Sequence, residues 1–283
     1  MSIRWTRPTA ALTAAIPLVL SCLYMLRRLR AMRLDRDGFL VVRKAASNPE
    51  VVAQMRTAIE AEAGKVEAGG YIIWTPADAL PPPCKSWALD EAATILQRSL
   101  PPGTPAVRLL GGAALWKRAG HDQPTPFHQD FAYMSTILHP GSSTSRTTRH
   151  AAVWLALTPT GPRSGCMRFA PSLGYEMHTH QTLPRAEAPS GFETQMVGGC
   201  VSAAEEAAED CELEPGMAVI IGDQVVHGSR ACEAGEACRL AFSPLFEVDC
   251  VDCPLPAGKE ASLASCLRSL WASPRILVRG VGV

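Results

Sequence analysis

The feature that most constrains the fold of this chain is a change of hydrophobic pattern near Pro101. Before this point apolar residues recur at helical spacing, and after it short β-type runs alternate with turn residues. The runs are VRLLGGAALWK (107–117), HAAVWLALT (150–158), CMRFA (166–170), MAVII (217–221) and RLAFSPLFEV (239–248). Helices followed by many short strands favour a mainly β fold, a sandwich or jelly roll with helices packed outside it.

Two amphipathic helices are predicted before the strands. The first opens at Pro49, and its apolar residues are Val52, Met55 and Ile59. The second spans about Leu89 to Leu100, with a buried face of Ala92, Ile95 and Leu96. A short apolar strand within residues 34–42 precedes both helices, and a further helical stretch is predicted over residues 259–271.

The size of the chain is consistent with one main domain, which we place at residues 34–283. A chain of 283 residues with 47% hydrophobic content can bury one substantial core, and nothing in it requires a second domain of normal size. Lys+Arg and Asp+Glu both count 27, so no overall basic field is available to attract nucleic acid. We therefore expect a small molecule, and not nucleic acid, as the partner.

Residues 1–33 are predicted to be a membrane anchor or a targeting segment. Residues 8–26 form an uncharged run of 19 residues, and a helix of this length would span about 28 Å, close to the roughly 30 Å of a bilayer core. More arginines follow the run than precede it, so the positive-inside rule places the next domain on the cytoplasmic side. A cleaved signal peptide and a mitochondrial or plastid transit peptide remain alternatives.

The ten cysteines are scattered along the chain. A reducing compartment accounts for them as small apolar side chains, without a disulfide framework. Cys250 and Cys253, in CVDC, have a recognisable spacing, but a zinc site would need further cysteines at ligand spacing, which the sequence does not supply.

A group of candidate metal ligands begins with His128 and Asp130 in PFHQDF. Because side chains alternate along a strand, residues two apart project from the same face and can hold one ion. A second histidine, His227, ends LEPGMAVIIGDQVVH, 97 residues after Asp130 (227 − 130), and Arg239 follows twelve residues later (239 − 227).

Two imidazoles and one carboxylate suit a particular kind of centre. They leave three positions of an octahedral iron open, enough for a bidentate 2-oxoacid and O₂, whereas four protein ligands would suit zinc. Arg239 can offer the far carboxylate of 2-oxoglutarate a planar pair of hydrogen bonds. Each motif alone is weak, and the combination carries the hypothesis.

With these motifs the region from about residue 35 to residue 248 resembles the phytanoyl-CoA dioxygenase family. The matching segments are DGFLVV, ALWKRAG, FHQD, VWLALTPTGPRSGCMRFAPS, LEPGMAVIIGDQVVHGS and RLAFS. The resemblance implies a double-stranded β-helix with flanking helices that uses Fe(II), 2-oxoglutarate and O₂. It assigns three residues to iron: His128, Asp130 and His227. It assigns four to the 2-oxoglutarate pocket: Arg239, Ser229, Lys117 and Trp154.

The chain departs from the family where PSLGYEMHTH replaces a PGSH-like turn, so the substrate wall is expected to differ. We expect His178 and His180 of this segment to lie in an exposed loop and not to bind metal. Asp130 argues against a halogenase, because halogenases lack this carboxylate.

The hypothesis is therefore an Fe(II) and 2-oxoglutarate dependent dioxygenase that hydroxylates an unactivated C–H bond and releases succinate and CO₂. Its substrate would be a small molecule, with lipids and acyl-CoA-like compounds among the candidate classes. A non-catalytic jelly-roll binding module and a cupin-like enzyme that uses another metal are the alternatives.

Overall fold

The computed structural model describes the central part of the chain: residues 34, 36–63, 70–74, 76–100, 104, 107–120, 123–132, 148–183, 187 and 194–249. The predicted helix over residues 259–271, the Cys250 and Cys253 pair, and residues 1–33 lie outside the described residues. No helix within the described part is long and apolar enough to cross a membrane. The anchor predicted over residues 8–26 therefore stays a prediction.

Twelve strands are present among the described residues. They are β1 (Phe39–Val42), β2 (Gly70–Trp74), β3 (Val107–Lys117), β4 (Thr125–His128), β5 (Thr148–Ala156), β6 (Met167–Phe169), β7 (His180–Thr182), β8 (Thr194–Met196), β9 (Glu209–Cys211), β10 (Ala218–Gly222), β11 (His227–Ser229) and β12 (Arg239–Asp249).

The strands form two larger antiparallel sheets and a hairpin. The six-stranded sheet has the order β1-β10-β5-β12-β3-β2, and the four-stranded sheet has the order β4-β11-β6-β9. Strands β7 and β8 pair with each other. Neighbours within each sheet come from distant parts of the chain, as in a jelly roll, and this confirms the predicted fold class.

The helices described are α1 (Pro49–Ala63), α2 (Pro82–Trp87), α3 (Ala93–Ser99) and α4 (Gly199–Ala207). A π-helical turn, Ala88–Ala92, joins α2 to α3. The side chain of Asn48 accepts a hydrogen bond from the backbone N–H of Glu50 at 2.9 Å, which caps α1, and Pro49 occupies the first helical position.

Three hydrophobic clusters show the layers of the fold. The first joins the helices to the outer face of the six-stranded sheet, with Met55, Ile59, Trp87 and Leu96 against Val153, Leu155, Ile220 and Phe242. The second lies between the two sheets and contains Ala152, Trp154, Phe169, Val219, Ile221 and Ala241. The third covers the other face of the four-stranded sheet, with Ala204 of α4 near Phe127 and Val226. The functional residues predicted from the sequence belong to the middle layer.

The local predictions agree with this structure in most places. Strand β3 has the predicted bounds, and the buried residues of α1 are those expected from helical spacing. The second helix was predicted too short, because helical structure already begins at Pro82 and continues to Ser99. Prolines in a first helical turn need no N–H partner, so Pro82 starts this helix where it would interrupt one elsewhere.

Candidate metal and 2-oxoglutarate site

His128, Asp130 and His227 meet where β4 pairs with β11. His128 ends β4, His227 begins β11, and the two are directly opposite in the antiparallel register. The register shifts between the His227 and Ser229 pairs, so β4 contains a bulge at Pro126 and Phe127. Such bulges redirect side chains, and here two imidazoles from neighbouring strands lie with ring centroids 4.3 Å apart and ring planes tilted by 55°.

Gly228 permits the close pairing of these strands. A Cβ at this position would lie 2.9 Å from the carbonyl oxygen of Thr125 and 3.3 Å from the Phe127 ring. Any larger residue would push β11 away from β4. The glycine between His227 and Ser229 is thus part of the geometry that holds the two histidines together.

The three side chains leave an opening of the size of one ion. Their ligand atoms all lie within 4.8 Å of one another. Asp130 Oδ1 is 3.5 Å from Nε2 of His128 and 3.5 Å from Nε2 of His227. The exposed fractions are 4% for His128, 7% for Asp130 and 3% for His227, so the opening is screened from solvent.

Backbone carbonyls fix the tautomer of both histidines. Nδ1 of His128 donates to the carbonyl of Pro126 at 2.8 Å, and Nδ1 of His227 donates to that of Val225 at 2.9 Å. Because a carbonyl can only accept, Nδ1 carries the proton and Nε2 keeps its lone pair. Both lone pairs are therefore available to a metal, with the ring orientations already set.

Electrostatics favours the neutral form of His227. Burial, followed by the nearby His128, lowers the pKa of His227 to about 4. The imidazole is thus unprotonated at physiological pH, as a metal ligand must be.

A second group of predicted residues lies on the six-stranded sheet. Arg239 opens β12 directly opposite Lys117, the last residue of β3, and both are buried. Nη1 of Arg239 donates to the carbonyl of Gly165 at 2.6 Å, and its guanidinium lies 5.4 Å from the Trp154 ring. Lys117 Nζ donates to the carbonyl of Gln123.

Strand alternation places this second group between the sheets. Ala241 follows Arg239 by two residues, Leu115 precedes Lys117 by two, and all share the inward face with Trp154. The same core layer contains Phe169, whose ring stacks near His227 with a centroid distance of 5.9 Å. The metal opening and the two buried cations therefore border one interior.

The chemistry of this interior fits an anionic ligand. Trp154 Nε1 is buried and has no hydrogen-bond partner among the described residues, although buried polar groups are normally paired. An oxygen acceptor placed beside Arg239 would satisfy this N–H, and its negative charge would offset the repulsion between Arg239 and Lys117. A dicarboxylate such as 2-oxoglutarate has both properties.

Ser229 lies two residues after His227 and shares its face of β11. Its hydroxyl oxygen accepts a hydrogen bond from the backbone N–H of Thr125 at 3.3 Å, and the hydroxyl proton remains able to donate. The role of Ser229 as a carboxylate donor stays a prediction.

The expectation that His178 and His180 lie in an exposed loop is wrong. His180 opens β7, is half-buried, and accepts a hydrogen bond from the backbone N–H of Gln129 at 3.2 Å. The pattern HTH carries no signal for this contact, because the contact depends on how the chain returns from β6 to residues 128–131, here called the metal loop. Neither histidine belongs to the metal-ligand group found among the described residues.

Sequence reasoning also missed Asp223, which binds the backbone directly after Asp130. Asp223 is fully buried, its carbonyl accepts the N–H of Phe131 at 2.8 Å, and its carboxylate accepts the N–H of His150 at 3.2 Å. The acidic residue in GDQVVH, Asp223, is the sequence signal that could have indicated this role.

The comparison with protein families decides the class. The family model described as phytanoyl-CoA dioxygenase (PhyH) matches residues 34–236, more than two thirds of the chain. The chain belongs to the phytanoyl-CoA dioxygenase family. The matched region includes the three candidate metal ligands and ends before Arg239, which lies opposite Lys117 on the six-stranded sheet. This family member is thus a non-haem oxygenase that depends on Fe(II) and 2-oxoglutarate, with O₂ as the second co-substrate.

Solved structures share the fold of this phytanoyl-CoA dioxygenase family member. EvdO2 from Micromonospora carbonacea var. aurantiaca, in complex with 2-oxoglutarate, has a TM-score of 0.56 and 19% identity, covering 81% of this chain and 93% of that chain. SnoK, a carbocyclase from nogalamycin biosynthesis, has a TM-score of 0.56 and 20% identity, covering 78% and 83%. EctD from S. alaskensis, with 2-oxoglutarate and 5-hydroxyectoine, has a TM-score of 0.55 and 15% identity, covering 76% and 74%. No curated protein sequence matches the chain.

Proposed function

We propose that His128, Asp130 and His227 bind Fe(II), that Arg239 binds the far carboxylate of 2-oxoglutarate, and that the enzyme hydroxylates an unactivated C–H bond of a small molecule. The observation that carries the proposal is the convergence of three buried ligand atoms within 4.8 Å, beside an interior that contains a buried arginine.

The three ligands suit iron by charge and by number. Two neutral imidazoles and one carboxylate leave a bound Fe(II) with a net positive charge, which attracts an anionic co-substrate. They also leave coordination positions free for that co-substrate and for O₂. When bound, iron with 2-oxoglutarate and O₂ supplies the oxidising power for C–H cleavage, and succinate and CO₂ are released.

Arg239 would orient the co-substrate from the opposite sheet. Its charge is permanent, and its Nη1 contact with the carbonyl of Gly165 restrains the position of the guanidinium. Trp154, over which this guanidinium lies, would donate its indole N–H to the same ligand. Lys117 and Ser229 would complete the pocket as charge and hydroxyl donors.

The apolar residues of the middle layer keep water from this chemistry. Phe169 lies near His227, with ring centroids 5.9 Å apart, and stacks on Phe39, with ring centroids 4.2 Å apart. Excluding water strengthens the interaction of the buried cations with a bound carboxylate and protects reactive species from side reactions.

Asp130 supports hydroxylation as the outcome. As an iron ligand, this carboxylate would occupy the position that a halogenase leaves open for halide, so halide would have no such place here. Proteins with this fold nevertheless differ in outcome, since SnoK is a carbocyclase and SnoN an epimerase. The hydroxylation proposal therefore rests on Asp130 and requires product analysis.

The test uses purified protein with Fe(II), 2-oxoglutarate and ascorbate in the presence of O₂. Succinate is measured together with the mass of each compound in a panel of small metabolites, lipids and acyl-CoA thioesters. Hydroxylation predicts succinate formation together with a substrate that gains one oxygen atom, and loss of both in Asp130→Ala. Undiminished succinate in this variant would reject the metal assignment. Binding of 2-oxoglutarate without succinate release from any class would indicate a binding module.

A further inference from the structure

We propose that His180, acting with Gln129, is a positioning residue of the metal site that fixes the backbone between His128 and Asp130. The inference rests on the proposed role of those two residues as iron ligands. It assigns a function to the segment PSLGYEMHTH, residues 171–180.

The side chain of Gln129 is a fully buried junction between three parts of the chain. Its Nε2 donates to the carbonyl of Glu176 at 3.0 Å and to that of Gln224 at 2.7 Å, and its Oε1 accepts the backbone N–H of His178 at 3.0 Å. Both amide protons are thus used. A flipped amide would direct its oxygen at two carbonyl oxygens, so these contacts determine a single orientation.

His180 completes the junction through the main chain of Gln129. Its Nδ1 donates to the carbonyl of His178 at 2.8 Å, which leaves a lone pair on Nε2. That lone pair accepts the backbone N–H of Gln129 at 3.2 Å. This N–H belongs to the peptide that joins His128 to Gln129. The hydrogen bond with His180 therefore restrains the orientation of this peptide plane, which lies between the two proposed ligands His128 and Asp130.

The other side of the metal loop is held by the turn that leads to His227. Gln224 accepts from Gln129, Asp223 accepts from Phe131, and Val225 orients the His227 ring. Hydrogen bonds from the segment 176–180 and from the turn 223–225 therefore hold the metal loop, residues 128–131, in place from two sides. Removal of the His180 acceptor would leave one buried N–H without a partner and let the loop shift relative to His227.

The experiment compares His180→Leu, His180→Asn and His180→Gln in the full chain. A glutamine can place its Oε1 near the position of the imidazole Nε2, whereas asparagine is too short and leucine has no acceptor. The control is Gln181→Leu, which changes an exposed neighbour on the same strand. Co(II) binding, measured by its absorption in the metal-free protein, reports ligand geometry, and hydrogen exchange of residues 125–132 reports the backbone contact directly.

We expect His180→Leu and His180→Asn to weaken Co(II) binding about 10-fold, the lower range for residues that orient metal ligands. Exchange in residues 125–132 should become about 5-fold faster, as loss of one hydrogen bond implies. His180→Gln and Gln181→Leu should stay within about twofold of the wild type in both measurements.

The outcomes separate the two proposals. If the wild type fails to bind Co(II), the metal assignment of the proposed function is wrong. The exchange measurement still tests whether His180 holds the Gln129 backbone. If the wild type binds but the asparagine and leucine variants bind equally well with unchanged exchange, the role of His180 is refuted. Equal losses in the glutamine and asparagine variants would also refute it, because a merely structural role needs no acceptor. Should the leucine variant not fold, the asparagine and glutamine pair decides.

Discussion

The two ends of the proposed site are built in different ways. At the metal end, each imidazole is oriented by a carbonyl only two residues earlier, Pro126 for His128 and Val225 for His227. At the carboxylate end, Arg239 is held by the carbonyl of Gly165, 74 residues away along the chain. Local bonds thus orient the metal ligands, whereas the register of distant strands assembles the cation pocket. Substitutions at one end should therefore leave the other end largely unchanged.

The largest effect is expected for Asp130→Ala at the metal end. Removal of the single anionic ligand should abolish Fe(II) binding and reduce succinate formation on the order of 1,000-fold, equivalent to about 4 kcal/mol of barrier. Asp78→Ala, which removes an exposed carboxylate, serves as the control. Retained Fe(II) affinity in Asp130→Ala would contradict the assignment.

Arg239→Lys should damage the opposite end selectively. Lysine keeps the charge but cannot form the planar pair of hydrogen bonds, so 2-oxoglutarate binding should weaken roughly 30-fold, about 2 kcal/mol. Fe(II) affinity, measured by anaerobic titration without 2-oxoglutarate, should not change. The matched control is Arg163→Lys, at a surface ion pair with Glu233. A parallel loss of Fe(II) affinity would show that the two ends are not separable.

Gly165→Ala tests whether the cation pocket depends on close packing. Gly165 has a φ of +85°, and a Cβ there would lie 2.7 Å from Cδ of Lys117 and 3.1 Å from the carbonyl of Arg230. We expect 2-oxoglutarate affinity to fall about 10-fold. The free energy of unfolding should fall by about 1–3 kcal/mol from the steric clash, in addition to the cost of placing alanine at a positive φ.

Gly235→Ala measures only the cost of placing alanine at a positive φ. Its φ is +87°, and a Cβ at this position meets nothing within 4 Å. Thermal unfolding of both variants therefore isolates the steric contribution of Lys117. Equal destabilisation by the two substitutions would argue against a packed cation pocket.

The smallest predicted effect belongs to Trp154→Phe, which removes the indole N–H and keeps an aromatic surface under Arg239. If this N–H donates to 2-oxoglutarate, binding should weaken about 5-fold, the value of one neutral hydrogen bond. Trp87→Phe is a close control, because its Nε1 is also buried without a partner among the described residues but it packs on the helical side against Phe242. A loss of equal size in Trp87→Phe would point to general destabilisation.

Much of the fold and of the metal end was predictable from the sequence. Strand β3 and the buried face of α1 follow from hydrophobic periodicity, which each segment carries within itself. His128 and Asp130 share a ligand site because their spacing and their turn are local. The second helix was misjudged, since Pro82 permits an earlier start than its apolar residues suggested. The setting of His180 was missed because it contacts a loop 51 residues away.

The sequence by itself determined which residues have the chemistry to bind a metal and a dicarboxylate, since ligand type, strand alternation and a permanent charge are properties of short segments. Only the tertiary structure decided that His227 lies opposite His128 across a bulged strand pair, that Gly165 packs against Lys117 and accepts a hydrogen bond from Arg239, and that Gln129 joins three segments in one junction. These arrangements depend on the register of strands far apart in the chain. Register is selected by the packing of the whole core, which no single segment encodes.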